Sequence, residues 1–527
     1  MKLLLISLQS NAYITGLKYV AASAMANGHE VKILYLPGYL EKDLDRVIED
    51  FLRKYRPDLI GISLMSIEYY PAKNLTRLLK ARFRARVIWG GVHAVIRPEE
   101  CIQYADYVCT GEGERVIVSL LDYLQHADKS ELPEIPGLWV NTGTEIIRNP
   151  LAEPNPDLDS LPVQQYLPDY FYVLHNGKIL DFSDNEKLFR MYALYGGTCH
   201  MIISTRGCPF KCAYCGNSAF IHVYGRKVRE RSVDSVLDEI REVIKNSFVL
   251  YMNFQDDCFF THSIEWVREF SERYKKEVNL PFIVRVIPTM IDQEKITLLK
   301  KAGMCWVVMG VQSGCDRVNY EIYDRRIKFE SVKNASDIIA ATGAAAFYEM
   351  IVDNPYETEE DRMETIHAIS TLKKPFVTSL AHLTFFPGTA LADRAVAEGV
   401  TEPDAYLYRY LLNIDDTYQN RLLSITSIIP SWLVRLLNKP EKERSGVHEL
   451  FLNIFYFLAK RLVEPGVFFF TTARSLNYRI DWLYRTVAGN GKATLSRLIS
   501  RYLAKGDLDY DSKLKAARKE MPELFEK

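Results

Sequence analysis

No stretch of about 18 uncharged apolar residues occurs in this 527-residue chain, so no membrane-spanning helix is expected. Neither sign of charge dominates: 66 Lys and Arg stand against 67 Asp and Glu, a net charge of −1. That balance offers no electrostatic footprint for a nucleic-acid partner. No like-charged block marks a solvated tail, and no repeat marks a solenoid. The apolar opening at residues 2–8 is short, and polar Gln9, Ser10 and Asn11 follow it without a small-residue cleavage pattern. It reads as a first strand and not a signal peptide, and a cytoplasmic protein is expected. Cysteine is scarce, nine in all, and six of these (Cys101, Cys109, Cys199, Cys258, Cys305, Cys315) are scattered. They suit small buried apolar positions, with Cys199 and Cys258 set apart only by their nearness to motifs below.

What is present is α/β alternation. Short β-rich runs at 2–8, 30–36, 59–65, 86–89 and 107–109 are separated by amphipathic stretches such as 44–56 and 71–83. This pattern predicts a doubly wound parallel sheet over 1–130. Ligands of such sheets bind beyond the carboxyl ends of the strands. Those ends carry residues 7–13, 63–68, 90–93 and 111–114, rich in small or polar side chains. Seven prolines between Pro133 and Pro168 interrupt any long element. Residues 131–197 are therefore expected to form one hairpin and an extended connector. A second alternation over 198–400 predicts six strands, at 201–204, 249–254, 282–286, 306–310, 345–352 and 379–385. Six βα units make a partial (β/α)6 barrel, with chemistry at the strand C-termini. The remainder, 401–527, reads as a helical, aromatic C-terminal domain. Within it, 450–470 is read as a core helix ending at Pro465, in preference to a membrane-surface helix. Tyr406, Tyr408, Tyr410, Trp432, Phe451, Phe455 and Phe457 could cap the barrel mouth, or serve as ordinary core.

The other three cysteines, Cys208, Cys212 and Cys215, stand as C-x3-C-x2-C in STRGCPFKCAYCGN, directly after a predicted strand. Thiolates are the usual ligands of iron–sulfur clusters. Three of them leave one iron of a [4Fe-4S] cube open, whereas structural zinc takes four protein ligands. Tyr214, just before the last cysteine, can reach a bound adenine or pack against the cluster.

This segment resembles the signature of the radical S-adenosylmethionine (SAM) superfamily, and the resemblance extends over about 201–399. It implies that SAM chelates the open iron and is cleaved to a 5′-deoxyadenosyl radical that takes hydrogen from substrate. It also implies SAM contacts from Gln255, Asp256 and Asp257 after the second barrel strand. Further contacts are implied from Arg285 after the third, and from Gln312 and Ser313 in a segment resembling G-[IV]-E-S-G. Asp257 as a helix cap and Arg285 as a structural ion pair are the alternatives. Residues 352–358 and 386–389 resemble the family's G-x-P-x-E-T and P-G-T turns, with Asp353 in place of Gly. They read as architectural.

Gly90-Gly91-Val92-His93 and Gly111-Glu112-Gly113-Glu114, on a doubly wound domain before such a barrel, look like the cobalamin-binding subclass. That resemblance implies a Rossmann-like cobalamin domain. Its contacts are expected from Ser10, Asn11, Tyr13, Ser63, Met65, Ser66, Gly90, Gly91, His93, Gly111, Glu112 and Gly113. The D-x-H-x-x-G motif is absent, so cobalamin is expected without histidine on cobalt, and its loss in this chain stays open. His93 is placed at the corrin periphery, or at the cap of the following turn.

The implied cofactors are a [4Fe-4S] cluster, SAM and cobalamin. The leading activity is C-methylation of an unactivated sp3 carbon, by way of methylcobalamin and the 5′-deoxyadenosyl radical. A radical cyclisation or rearrangement, a radical SAM enzyme without cobalamin, and a non-catalytic cofactor-binding protein are the alternatives. Expected partners are a reductant such as flavodoxin or ferredoxin and a substrate that is a small molecule, lipid, peptide or protein.

Overall fold

The computed structural model describes residues 1–37, 45–83, 85–126, 133–407 and 413–476. Tyr408, Tyr410 and the part of the C-terminal domain after 476 lie outside the described residues.

Two sheets organise the molecule. The first runs parallel through β1 (Lys2–Ser7), β2 (Glu30–Tyr35), β3 (Leu59–Ser63), β4 (Val87–Gly90) and β5 (Tyr107–Cys109), ordered β5-β4-β3-β1-β2. Leu3 to Ile6, Ile33, Leu34, Ile60, Ile62, Val87 and Val108 are almost fully buried. Such near-continuous apolar strands belong to a sheet covered on both faces.

The segment between the domains differs from expectation. A hairpin, β6 (Leu138–Asn141) and β7 (Ile146–Arg148), joins β5 antiparallel. A second hairpin, β8 (Phe171–His175) and β9 (Lys178–Asp181), joins the opposite edge, with β8 parallel to β2. The sheet thus has nine strands, and only the stretch between the hairpins is extended. The second turn is Asn176-Gly177, at φ of 48° and 69°. This is the left-handed pair that a tight hairpin requires.

The second sheet holds β10 (Cys199–Ile202), then, after a small antiparallel pair β11 (Thr205–Arg206) and β12 (Arg229–Glu230), strands β13 (Tyr251–Phe254), β14 (Phe282–Val286), β15 (Met304–Gln312), β16 (Ala345–Val352) and β17 (Phe376–His382). Its six parallel strands pair strictly in chain order, with β10 and β17 at the edges, as an open (β/α)6 barrel does. Ser232, Ser263, Asp292, Thr358 and Thr389 each cap a barrel helix by accepting the backbone N–H three residues on, each contributing about 1 kcal/mol.

Beyond the barrel the described chain is helical. The reading of a core helix ending at Pro465 is corrected. The helix Gly446–Leu458 passes through a π-helical turn, Ala459–Val463, into the helix Glu464–Ser475, with Pro465 in the first turn of the latter. Proline is tolerated there because that N–H needs no helical partner. Leu450, Phe451, Ile454 and Phe457 are about half exposed. The helix Glu464–Ser475 packs against the barrel. Ser475 Oγ bonds Cys305 O and accepts from Ala345 N at 3.2 Å, and Phe468 stacks on Trp306 at 5.2 Å. Those partners begin β15 and β16, the end opposite the mouth. Among the other aromatics, Tyr406 is buried beside Tyr70, Phe455 is half-buried and Trp432 is exposed.

Candidate functional site

A cavity of about 450 Å3 lies where the carboxyl ends of the two sheets face each other. Leu5, Gly61, Ile62, Ser63, Ile88, Gly90, Gly91, Cys109, Gly111, Glu112 and Gly113 line it from the first sheet. Ile203, Thr205, Arg206, Gly207, Cys208, Asn217, Gln255 and Asp257 line it from the barrel. Phe220, between the two short helices after the cysteine loop, and Tyr224, at the end of the second, complete a largely apolar wall. The glycines shape the first face. A Cβ on Gly91, where φ is +91°, would stand 2.7 Å from Leu64 O, and one on Gly61 2.8 Å from Leu5 Cδ2. Strand ends so stripped of side chains let a broad planar group approach the backbone, which fits a corrin.

Cys208, Cys212 and Cys215 occupy one half-buried loop. Its backbone is pinned from the barrel: Ala213 N donates to Tyr323 O at 2.7 Å, and Leu391 N donates to Ala213 O at 2.9 Å. Tyr214 packs edge-on against Tyr323 with centroids 4.9 Å apart, inside an apolar satellite cluster. Burial, with mutual repulsion among the thiolates, pushes Cys208 up to about 12 and Cys215 up to about 11. Three thiols so crowded favour a cationic guest that deprotonates them. Among the described residues no three His, Cys, Asp or Glu side chains converge on a single-ion site. Cysteine thiolates are the usual protein ligands of iron–sulfur clusters, and three stand on this one loop. The donor set fits the cube.

Several expected contacts are placed elsewhere. Asp256 is fully buried, and its Oδ1 accepts from the N and Oγ of Ser204 (2.9 and 2.8 Å) and the N and Oγ1 of Thr205 (2.5 and 2.7 Å). It stitches β10 to β13, and only Gln255 and Asp257 of that trio line the cavity. Ser313 is also fully buried, 2.9 Å from Thr365 Oγ1 and accepting from Cys315 N. Gln312 adopts a left-handed φ of 69°, and its amide folds back over Gly310. Arg285 forms the ion pair that was its alternative: Nη1 lies 2.9 and 3.1 Å from the Glu349 oxygens, and Nε donates to Gln255 Oε1 at 3.1 Å.

On the first domain, His93 is corrected from corrin contact to buried support. It is fully enclosed, with Nδ1 3.0 Å from Ser66 Oγ and its ring 4.9 Å from that of Tyr69. Burial lowers its pKa to about 4, so it stays neutral. Ser66 is turned inward with it, and Met65 is 38 % exposed, outside the lining. Ser10 and Asn11 also lie outside, and Asn11 Oδ1 accepts from Tyr13 N at 2.9 Å. The Tyr13 hydroxyl reaches across to Met201 O and His200, making it an interdomain contact. No histidine lines the cavity among the described residues. Asp353 holds a left-handed φ of 57°, which explains glycine in the turn it resembles; aspartate tolerates that region.

The sequence reading missed the charged seam. Arg206 Nη1 and Nη2 reach Glu112 (3.0 Å) and Glu114 (2.7 Å), while Arg229 donates to both Glu112 oxygens (2.7 and 3.0 Å) and to Asn155 O at 2.7 Å. Arg206 and Arg229 are register partners on β11 and β12. Its available signals were the alternating Glu112 and Glu114, and an arginine two residues before the first cysteine. Behind it, Glu239 is fully buried against His200 (2.9 Å), Tyr19 (2.5 Å) and Arg231 (2.5 Å).

Comparison with known proteins agrees with this geometry. Residues 202–369 match the radical SAM superfamily model and residues 1–121 the B12-binding domain model, together more than half of the chain. An uncharacterized methyltransferase, PH0819, from Pyrococcus horikoshii is 25 % identical over 391 residues, covering 73 % of this chain and 79 % of the relative. Cytidylyl-2-hydroxyethylphosphonate methyltransferase from Streptomyces wedmorensis is 24 % identical over 79 % of this chain and 83 % of its own. Anaerobic magnesium-protoporphyrin IX monomethyl ester cyclase from Rubrivivax gelatinosus is 21 % identical over 66 % and 60 %. The cobalamin-dependent S-adenosylmethionine radical enzyme OxsB, solved with aqua-cobalamin bound, shares the fold, with a TM-score of 0.61 at 15 % identity over 99 % of this chain and 84 % of that one. With both domain models matched in order, this chain belongs to the cobalamin-binding radical SAM superfamily and takes a [4Fe-4S] cluster, SAM and cobalamin as its cofactors.

Proposed function

We propose that this chain is a C-methyltransferase acting on an unactivated sp3 carbon. One observation carries the reading: the glycine-lined face of the first sheet and the cysteine loop of the barrel share a single cavity. When bound, the cluster and SAM supply hydrogen-atom abstraction, and cobalamin supplies a methyl group for transfer. Cys208, Cys212 and Cys215 are assigned as cluster ligands. Gln255 and Asp257 face the SAM amino group, where a carboxylate holds an ammonium. Gly61, Ser63, Gly90, Gly91, Gly111 and Gly113 form the corrin bed. Arg206, Arg229, Glu112 and Glu114 hold the two beds at fixed separation. The apolar wall with Phe220 and Tyr224 excludes water from the reacting carbon. A low-potential protein such as flavodoxin or ferredoxin supplies the electron.

The test is anaerobic purification with cobalamin, then turnover with methyl-deuterated SAM. Cobalt and iron in a ratio of about one to four, with a deuterated methyl on product, support the reading. The match to a cyclase favours a second reading, ring formation with the same cofactors. An unlabelled product with 5′-deoxyadenosine formed would select it.

A further inference from the structure

The cysteine loop turns one side to solvent. Pro209 and Lys211, between Cys208 and Cys212, are exposed, whereas the cysteines are half-buried. The rest of the loop is engaged: Cys208 lines the cavity, and the Ala213 backbone is bonded to Tyr323 and Leu391. Two neighbouring segments bring further cations to the outward side. The bond from Ala213 N to Tyr323 O sets residues 323–326 beside the loop. There Lys211 Nζ lies 3.4 Å from Asp324 Oδ2, and Arg326 Nη2 lies 2.9 Å from Asp324 Oδ1, with the two basic side chains 57 and 70 % exposed. A Cβ on Gly207 would stand 3.1 Å from Lys227 O, so Arg226 and Lys227, both exposed, border the start of the loop.

Charge names the kind of partner. The chain as a whole carries −1, yet residues 207–228 hold Lys211, Arg226 and Lys227 and neither Asp nor Glu. The carboxylates at the border are already engaged: Asp324 by two cations, Glu321 by Arg317 at 3.6 Å and Glu230 by His262 at 2.9 Å. Arg325 is buried and donates to the carbonyls of Gly310 and Val311, so its charge serves the fold. Arg326 stays outside, its guanidinium 5.5 Å from the Tyr320 ring. Clustered surface cations steer an anionic protein into contact, and a patch of a few residues suits the small interface of an electron-transfer encounter. We propose that Lys211, Arg226, Lys227 and Arg326 form the docking face for an acidic one-electron carrier protein. The inference rests on the cluster and SAM reading above. One electron passes from the reduced carrier to the oxidised cluster for each SAM cleaved; the carrier is oxidised by one electron, the cluster is reduced by one, and no atoms are exchanged.

The full chain, loaded with cluster and cobalamin, is titrated without oxygen against flavodoxin and, separately, ferredoxin by biolayer interferometry at low and high salt. SAM cleavage is then driven by the reduced carrier or by dithionite. The dissociation constant for at least one carrier is expected to rise about tenfold at high salt, and about tenfold in the double variant Arg226→Glu with Lys227→Glu and in Arg326→Glu. Cluster absorbance and dithionite-driven cleavage in these variants are expected within about twofold of the parent, because the substitutions are at the surface. Arg226→Gln with Lys227→Gln checks the direction with a milder change. A parent that binds neither carrier overturns the proposal, as does binding that salt and the substitutions leave unchanged. Carrier-driven and dithionite-driven cleavage that fall together in the variants overturn the docking face alone. A parent that cleaves no SAM even with dithionite overturns the reading on which the face rests.

Discussion

Arg206 Nη2 lies 2.7 Å from Glu114 Oε1, across the boundary between the two sheets. Arg206 stands two residues before Cys208, and Glu114 lies in the first turn of the helix Gly113–His126 that follows β5. The pair therefore ties the cysteine loop to the glycine-lined floor. Glu114 is almost fully buried there, so deleting its partner strands a carboxylate in low dielectric. Arg206→Met is expected to lose about 3 kcal/mol of stability, read from the denaturant midpoint. Methylated product per 5′-deoxyadenosine should fall, because the separation between the cofactor beds is no longer held. An unchanged ratio would show that the seam does not position the cofactors.

Cys212→Ala should abolish cluster absorbance and SAM cleavage together. The cube needs three protein thiolates, and none of the scattered cysteines is on this loop. Cleavage that survives the substitution would remove Cys212 from the ligand set.

Asp256 and Asp257 are neighbours with separable roles. Asp256→Ala leaves four buried donors of Ser204 and Thr205 without their acceptor, at a cost of about 3 kcal/mol. Asp257→Ala touches the cavity wall and should weaken SAM binding while leaving the unfolding midpoint within about 0.5 kcal/mol. Equilibrium dialysis with SAM and chemical denaturation separate the two. Equal stability losses would refute the division.

Gly91→Ala places a methyl group 2.7 Å from Leu64 O at a left-handed φ. The expected cost is about 2 kcal/mol, with reduced cobalt content after loading. Full cobalamin occupancy in this variant would move the corrin bed away from Gly91.

Burial opposes the charge of Glu239, but the hydrogen bond from His200, the Arg231 charge and the Tyr19 hydroxyl overcome it and hold its pKa near 2, below the ordinary 4.5. A depressed carboxylate stabilises the fold above its unfolded pKa and loses that stabilisation as pH falls. Stability should therefore decline from about pH 4.5 toward pH 2. Glu239→Gln should flatten that decline and be the less stable protein at neutral pH. Unfolding midpoints across this range decide it, and parallel curves would exclude Glu239 as the source.

The strands were readable because burial on both faces writes itself as short β-branched runs. The cysteine trio was readable because cysteine is rare and its spacing is local. The hairpin at Asn176-Gly177 was equally readable and was masked by the prolines around it. His93 was not. It follows a glycine pair at a strand end, where a side chain can face the ligand or turn back under the sheet, and Ser66 holds it underneath.

From the sequence alone came two strand–helix units in series, a loop of three thiols and glycine-edged strand ends, all written in neighbours along the chain. Tertiary structure decided what the chain cannot express locally. Arg206 meets Glu112 and Glu114 from 94 and 92 positions away, and Asp256 turns inward beside an Asp257 that lines the cavity. An apolar stripe reads the same whether it is packed or bare, and only the placement of the helix Gly446–Leu458 on the molecule left it facing outward. Periodicity is a property of local backbone geometry, whereas exposure and ion pairing depend on which surfaces the two sheets bring together.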